Sequence, residues 1–263
     1  MKTIGFESRI LAGVPCAVAI GVFDGIHSGH RKVLQATVDF AAENHLSSVA
    51  VSFSRNPKMA KGAMAQAKPL SSFRTVEEIM LNIGIDYHCI IDFSDEMSKL
   101  TGVEFIAELC SFCKVSALLV GKDFRCGCPE ACLGTDQLGK ALSDLNIDAP
   151  VVAIDPVLDD RGRVVSSSLI RSMLLKGDIA GSAVLLGRPY SLDCKGVSFA
   201  SDGNVLLTEA GSFAELLPAA GTYRASAIAE DGKSYDIVLS INGSCLAFQF
   251  SEPVKIDRIN FKG

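Results

Sequence analysis

The stretch Ala17-Val-Ala-Ile-Gly-Val-Phe-Asp-Gly-Ile-His-Ser-Gly-His30 decides the fold of this chain. Its first part, residues 17–22, is a short apolar run, which is typical of a strand buried on both faces of a parallel sheet. A glycine turn follows at once, and a helix is predicted to begin around Ser28 or Gly29. A strand, a tight turn and a helix in this order predict the first βα unit of an α/β domain.

The same alternation continues towards the C-terminus. Further short apolar runs predict strands at residues 48–53, 87–93, 117–121 and 151–155. Apolar residues recur at three- and four-residue spacing elsewhere, which predicts helices at residues 30–44, 75–83, 102–113 and 168–176. We therefore expect an α/β domain with a parallel sheet in this part of the chain.

The pattern changes after Leu186-Gly-Arg-Pro-Tyr190. From Lys195 onwards, apolar and polar residues alternate in short segments, and the stretches between them predict hairpin turns: Asp202-Gly-Asn, Glu230-Asp-Gly-Lys and Asn242-Gly. A segment of about 75 residues has room for six strands of typical length. We therefore expect a small all-β barrel or sandwich at residues 186–263, after an α/β domain at residues 1–185.

The composition limits the partners of this chain. Its 263 residues suffice for two domains, and its formal net charge of −5 argues against a broad surface for nucleic acid or anionic membranes. The N-terminus lacks a basic region followed by an apolar stretch, and no apolar run approaches the ~18 residues of a membrane-spanning helix. We expect a cytoplasmic protein that binds neither nucleic acid nor membranes, and the sequence leaves its oligomeric state open.

The nine cysteines are odd in number and irregularly spaced, which favours reduced thiols over a disulfide framework. Five of them could ligate zinc: Cys110, Cys113, Cys126, Cys128 and Cys132. However, the first two fall in a predicted helix, and Cys-x-Cys is an uncommon zinc-binding pattern. We expect buried thiols at these positions instead.

The turn after the first strand carries the strongest chemical signal. Gly25 and Gly29 allow a phosphate to approach the backbone, and the N-terminus of the following helix offers N–H donors and a positive dipole. His27 and His30 are two of the four histidines and lie three residues apart, so both can point into one pocket and neutralise developing charge. In the alternative interpretation, the glycines only make a turn and the histidines cap it. Zinc is less favoured because Asp24 is the one further ligand nearby.

Two later stretches extend this candidate site. Asp123, in Gly121-Lys-Asp-Phe-Arg-Cys-Gly127, can hold a ribose hydroxyl or help to position a cation, and the alternative is an ordinary βα turn. In Val165-Ser-Ser-Ser-Leu-Ile-Arg171, the three serine hydroxyls can cap a helix and contact phosphate together, and Ser167 and Ser168 are the site candidates. Capping alone would explain the serines, whereas Arg171 can offer a fork of donors to a leaving pyrophosphate and favours a phosphate site.

Together with Leu185-Leu-Gly-Arg-Pro-Tyr190, these stretches resemble, in this order, the bacterial riboflavin kinase/FAD synthetase family. The resemblance implies a nucleotidyltransferase domain with a Rossmann-like parallel sheet, which transfers AMP from ATP to FMN with Mg²⁺ and gives FAD and pyrophosphate. It implies that the residues of the ATP site are Gly21, Phe23, Asp24, Gly25, Asp123, Ser167 and Ser168. The catalytic candidates are His27, His30 and Arg171, and the metal ligands are not identified.

Two departures from the family's pattern modify this expectation. The family's flavin-side loop Phe-Asp-Pro-His-Pro is Phe53-Ser-Arg-Asn-Pro57 here, so Phe53, Asn56 and Pro57 are the candidates for FMN contacts. In the β domain, the kinase motif Gly-x-Pro-Thr-Ala-Asn is replaced by residues 195–204, and the chain ends near Phe261 without the segment that carries the kinase's catalytic glutamate.

We therefore expect an FMN adenylyltransferase whose β domain is shortened and has lost riboflavin kinase activity. Three alternatives stay open: a bifunctional riboflavin kinase/FAD synthetase, adenylyl transfer to another phosphate acceptor, and a non-catalytic protein that binds a flavin or a nucleotide.

Overall fold

A computed structural model describes residues 1–54, 68–250 and 255–263 of this chain. As far as they are described, the residues form two compact units. The first comprises Met1–Phe23, Gly29–Gln66 and Glu77–Leu158, and the second comprises Asp24–Ser28, Ala67–Val76 and Asp159–Gly263. The domain boundary expected near residue 185 stays a prediction.

The first unit contains alternating strands and helices. Its strands are β1 (Lys2–Gly5), β2 (Pro15–Ile20), β3 (Ser47–Phe53), β4 (Tyr87–Ile91), β5 (Lys114–Gly121), β6 (Arg125–Cys126), β7 (Leu133–Gly134) and β8 (Val151–Ile154). Its helices are α1 (Ser28–Glu43), α2 (Phe73–Ile83), α3 (Gly102–Phe112) and α4 (Thr135–Asp144). The first residue of α1 and the first four residues of α2 belong to the second unit.

Six of these strands form a parallel sheet in the order β1-β4-β3-β2-β5-β8, which confirms the predicted fold class. The five predicted strands correspond to β2, β3, β4, β5 and β8, and three predicted helices correspond to α1, α2 and α3. The sequence predicts neither β1 nor α4. Strand β1 buries Ile4 alone, so it lacks the apolar run of a central strand, and α4 contains few apolar residues and an internal Gly139.

Apolar residues pack on both faces of the parallel sheet. Val18 of β2 belongs to a core that includes Phe105 of α3 and Leu138 of α4, whereas its neighbour Ala17 packs with Phe40 of α1 in a second cluster. Successive residues of a strand point to opposite faces, so a strand covered on both sides is apolar throughout. This explains why the first βα unit could be identified from the uninterrupted run before the glycine turn.

The parallel direction of the strands gathers loops at one edge of the sheet. The carboxyl ends of β2, β3, β5 and β8 lie at this edge, and ligands of open α/β sheets bind there. The predicted Gly21 turn, Phe53 and the Gly121 turn all follow or end one of these strands.

The second unit contains two helices and an antiparallel sheet. Its helices are α5 (Ser167–Leu174) and α6 (Ile179–Leu186). Its strands are β9 (Ser191–Asp193), β10 (Ala200–Asp202), β11 (Val205–Glu209), β12 (Gly221–Ala229), β13 (Ser234–Ile241), β14 (Cys245–Gln249) and β15 (Ile256–Phe261). Helix α5 confirms the helix predicted at residues 168–176, whereas α6 is apolar on all sides and gives no helical periodicity.

The strand order of this curled, barrel-like sheet is β10-β11-β14-β13-β12-β15-β9. The three predicted turns join β10 to β11, β12 to β13 and β13 to β14, and Gly203, Gly232 and Gly243 adopt positive φ in them. The expected count of six strands was wrong by one, because the short strand β9 adds to the edge beside β15.

Two further sequence expectations concern the cysteines and the membrane. All nine cysteines are free thiols; of the five considered as zinc ligands, Cys113 and Cys126 are buried and the other three are half-buried. The expectation of buried thiols is therefore confirmed only in part. In the described part of the chain, no helix combines the length and the apolar character needed to span a bilayer.

Gly127 and Gly13 provide a stability test within the first unit. Gly127 has a φ of +95°, and an added Cβ would stand 2.2 Å from the backbone nitrogen of Gly102 at the start of α3. Gly13 has a φ of +77° and nothing within 4 Å of the added atom. Gly13→Ala should cost about 1–2 kcal/mol of unfolding free energy from its left-handed backbone alone. Gly127→Ala should cost clearly more in urea unfolding, and equal losses would contradict the close packing of this loop on α3.

Candidate functional site

The chain turns sharply between the end of β2 and the start of α1. Three residues there have a left-handed backbone: Phe23 has a φ of 49°, Gly25 of 80° and Ile26 of 37°. Glycine adopts this conformation freely, whereas a phenylalanine or a β-branched isoleucine is strained by about 1–3 kcal/mol. Phe23 and Ile26 are 2% and 0% exposed, so packing holds the strained backbone in place. Such strain is concentrated at binding and catalytic sites.

In the first unit, the ring of Phe23 connects Gly21 with His30. An added Cβ on Gly21 would stand 2.9 Å from the Phe23 ring, so glycine leaves the room that this ring needs. The same ring meets the imidazole of His30 edge to face, with centroids 5.4 Å apart and planes at 80°. Phe23 thereby packs against the predicted catalytic imidazole in the first turn of α1.

Charged side chains lie at the carboxyl edge of the parallel sheet. Lys122, which follows β5, forms an ion pair of 2.6 Å with Asp155, and Lys32 of α1 donates to the Asp155 carbonyl at 3.1 Å. The hydrogen-bonded Lys122 lowers the pKa of Asp155. The predicted Asp123 is exposed, and an added Cβ on Gly121 would stand 2.8 Å from its carboxylate.

Lys32, Lys122 and Asp155 were not among the predicted site residues. Lys122 and Asp155 stand at the ends of predicted strands, which is a signal that could have found them. Lys32 gives no such signal, because its reach to Asp155 depends on how α1 packs on the sheet.

In the second unit, Asp24 is the centre of a buried hydrogen-bond cluster. Its Oδ1 accepts from the Leu70 amide at 2.7 Å, and its Oδ2 accepts from Nη2 of Arg171 at 2.9 Å. Arg171 also donates through Nη1 to the Lys68 carbonyl at 2.5 Å. Asp24 and Arg171 are 9% and 8% exposed. Burial raises the pKa of Asp24, while the Leu70 amide and the Arg171 guanidinium oppose this rise.

The serines at the start of α5 have three different environments. Ser166 is the N-cap, since its side chain accepts from the Leu169 amide at 3.3 Å. Ser167 donates its hydroxyl to the backbone carbonyl of Asp24 at 2.9 Å, and Ser168 is exposed. Capping is therefore performed by one serine that was not a site candidate, and Ser167 supports the turn.

The contacts of Arg171 differ from the fork towards a phosphate that the sequence suggested. Each terminal nitrogen already donates to a protein oxygen of the second unit, so the side chain fixes the turn around Asp24. The contact with a phosphate stays a prediction.

Gly25 and His27 complete the described turn. An added Cβ on Gly25 would stand 3.1 Å from Cβ of Leu70 and 3.4 Å from Cδ2 of Leu186, so Gly25 is required both by its backbone and by close packing. His27 is 6% exposed. The second unit thus brings together Asp24, Gly25, Ser167 and Arg171 from two separate parts of the sequence.

The residues expected on the FMN side are only partly described. The ring of Phe53 meets Phe93 at 5.8 Å and Phe105 at 6.2 Å, so it packs with the core of the first unit. Asn56 and Pro57 lie outside the described residues. In the described ranges, no group of three or more His, Cys, Asp or Glu side chains could hold a metal ion.

Comparisons with known proteins agree on one family. The family model described as FAD synthetase matches residues 12–169. The bifunctional riboflavin kinase/FMN adenylyltransferase of Buchnera aphidicola is 29% identical over 67% of this chain and 56% of its own length. That of Bacillus subtilis is 27% identical over 70% and 57%, and the FAD synthetase of Listeria monocytogenes is 27% identical over 79% of each chain.

The matches thus span little more than half the length of the two bifunctional relatives. Among solved structures, a macrolide-efflux protein from Streptococcus pneumoniae is similar, with a TM-score of 0.84 over 99% of this chain and 89% of its own. Its sequence identity is 20%, so the likeness concerns the fold alone.

The buried ion pair of the second unit gives a stability prediction. Arg171→Met would leave the Asp24 carboxylate buried without its cation and should cost about 3–5 kcal/mol of unfolding free energy. Asp24→Asn in addition should recover part of that loss. Lys262→Met is the control: its ammonium pairs with the Asp236 carboxylate at 2.5 Å and both side chains are exposed, so this change should cost less than about 1 kcal/mol. Equal urea midpoints for Arg171→Met and the wild type would contradict the role of the pair.

Proposed function

The chain belongs to the FAD synthetase family, and on this premise we propose that it is an FMN adenylyltransferase, which transfers AMP from ATP to FMN. The observation that carries the proposal is the strained turn at residues 21–30, which lies within the matched region. In the first unit Phe23 is buried, and in the second unit the hydrogen-bond cluster holds Asp24. A turn fixed in this way is preorganised to receive phosphate groups at the start of α1.

The proposed reaction is a direct in-line displacement. A phosphate oxygen of FMN attacks the α-phosphorus of ATP, a new P–O bond forms, the bond to the β-phosphate oxygen breaks, and pyrophosphate leaves. The protein need not form a covalent intermediate, because positioning and neutralisation of charge suffice for such a transfer. His27 and His30 are proposed to donate hydrogen bonds to phosphate oxygens as negative charge develops.

Local cations supply the positive charge that this acidic chain lacks overall. Lys32 and Lys122 converge on Asp155 at the carboxyl edge of the sheet, where the proposed triphosphate would arrive. We add both lysines to the candidates for phosphate contacts. Asp123, exposed on the next turn, keeps its proposed role towards the ribose or a cation.

Mg²⁺ is proposed to enter with ATP. Mg²⁺ commonly binds through one or two carboxylates, substrate phosphates and water, so it needs no cage made by the protein. Asp123 offers such a carboxylate, and the absence of a three-ligand cluster in the described ranges fits this mode. When bound, the ion would neutralise charge on the triphosphate.

We further propose that the chain lacks riboflavin kinase activity and works in the cytoplasm. The motif expected to bind ATP for the kinase reaction is absent from residues 195–204, which instead contain β10 and the turn at Gly203. Two of the three relatives named above are bifunctional, so the bifunctional enzyme is the main alternative. A non-catalytic binder would leave the arrangement of Phe23 and His30 without a chemical use.

Incubation with ATP, Mg²⁺ and FMN, followed by chromatography, tests the adenylyl transfer. The wild type should form FAD, and His30→Ala should lower kcat/KM for this reaction by about 10²- to 10³-fold, since one charge-stabilising donor is lost. His45→Asn is the control: His45 is exposed with a φ of 55°, which asparagine tolerates, so activity should stay unchanged. Binding of ATP without any FAD would favour the non-catalytic alternative.

The same assay with riboflavin in place of FMN tests the second part of the proposal. We expect neither FMN nor FAD, because riboflavin has no phosphate that could attack ATP and the kinase motif is missing. FMN formation from riboflavin by the purified chain would establish the bifunctional alternative.

A further inference from the structure

Residues 68–74, here called the strap, are hydrogen-bonded along their length to other parts of the second unit. At its first end, the strap supports the turn around Asp24. The Leu70 amide donates to Asp24 at 2.7 Å, the Lys68 carbonyl accepts from Arg171 at 2.5 Å, and the buried Leu70 side chain fills the space beside Gly25. Two of the strap's backbone groups thus take part directly in the Asp24 cluster.

At its other end, the strap is clamped by the antiparallel sheet. Arg74 donates from Nε and Nη2 to the two carboxylate oxygens of Asp193 at 2.9 and 2.6 Å, and from Nη1 to Asp257 at 2.7 Å. Ser72 donates its hydroxyl to Asp193 at 2.9 Å. Asp193 ends β9 and Asp257 lies on β15, so one guanidinium bridges two adjacent strands.

Between these ends, the sheet's loops hold the strap as well. The Leu216 amide donates to the Pro69 carbonyl at 2.8 Å, and Nζ of Lys68 donates to the Phe213 carbonyl at 2.5 Å. Arg188 donates to the hydroxyl of Ser71 at 2.8 Å. The strap is therefore fixed by the sheet at several points, and its freedom to shift away from Asp24 is small.

The ion pair between Arg74 and Asp193, at the second end of the strap, is partly buried. Burial opposes ionisation of Asp193, but Arg74, the Lys195 amide and Ser72 outweigh it and lower the pKa of Asp193. Asp193 is itself located by buried Glu215, whose Oε1 accepts the Asp193 amide at 2.9 Å. A planar, bidentate pair fixes direction as well as distance, which a flexible single contact would not do.

We propose that Arg74 is a positioning residue for adenylyl transfer, and that the antiparallel sheet serves this reaction by holding the strap against the Asp24 turn. The inference rests on the proposed function. Arg74 itself need not touch a substrate. Its effect passes through the strap to the Leu70 amide and Asp24, and a small misplacement of a phosphate-binding turn can cost ~10²-fold in rate.

Arg74→Gln, Arg74→Lys and Asp193→Asn test this inference. Arg74→Gln should raise KM for ATP and lower kcat/KM by about 10- to 100-fold, with KM for FMN much less affected. Arg74→Lys should restore part of the loss, because one ionic contact can form again.

The double variant Arg74→Gln/Asp193→Asn should be no worse than the worse single variant, since both changes remove one interaction. Lys233→Gln, which removes an exposed partner 3.0 Å from Asp231 on the same sheet, should have no effect.

Hydrogen exchange gives a readout that needs no catalysis. In Arg74→Gln, the Leu70 amide and the peptide containing Asp24 should exchange at least tenfold faster than in the wild type, while the hairpin around Gly232 stays unchanged. If Arg74 only stabilised the fold, Arg74→Gln would lower the amount of active protein. The KM for ATP and the exchange rate of the Leu70 amide would then equal those of the wild type. If a folded Arg74→Gln protein has the wild-type KM for ATP, or the wild-type exchange rate at the Leu70 amide, the inference is overturned.

The two proposals fail in distinguishable ways. If the wild type forms no FAD, the proposed function fails, whatever Arg74 does. Calorimetric titration with ATP and Leu70 exchange then still report whether Arg74 controls the turn. If the wild type forms FAD and Arg74→Gln has wild-type kinetics and exchange, the positioning role alone is wrong.

Discussion

The buried ion pair between Asp24 and Arg171 is the constraint on which the candidate site depends. Each residue is less than a tenth exposed, so neither charge can rely on water and each requires a partner. The carboxylate is shared between Arg171 and the Leu70 amide, and the guanidinium is shared between Asp24 and the Lys68 carbonyl. The pair therefore joins the turn, the start of the strap and α5, three segments that are far apart in the sequence.

Local burial explains how the chain maintains an unfavourable backbone after β2. Phe23 and Ile26 would relax from positive φ if their surroundings allowed it, but both are buried. Gly21 leaves room for the Phe23 ring, and that ring meets His30. Rigidity of this kind suits a reaction that depends on placing phosphate groups, because the arrangement is made during folding and not at each turnover.

The role proposed for the antiparallel sheet does not depend on riboflavin kinase activity. Its contacts with the strap come from the end of β9, from β15 and from the loop that contains Phe213 and Leu216, whereas the departure from the kinase pattern falls at residues 195–204. A sheet that positions the strap would be retained under selection for adenylyl transfer alone. Packing and catalysis use different residues, so a sheet can hold a neighbouring segment whether or not it has chemistry of its own.

Local periodicity and turn chemistry were enough to predict the parallel sheet, the hairpin turns and the position of the glycine turn from the amino-acid sequence. The sequence also singled out His30, Asp24 and Arg171 as site candidates, and their roles stay a prediction. It did not reveal β1, α6, the strap or the partners of Arg171, because these depend on contacts between distant residues. Whether Arg171 faces a carboxylate or a solvent-filled pocket is decided by burial, and only the tertiary structure sets which charges are buried together.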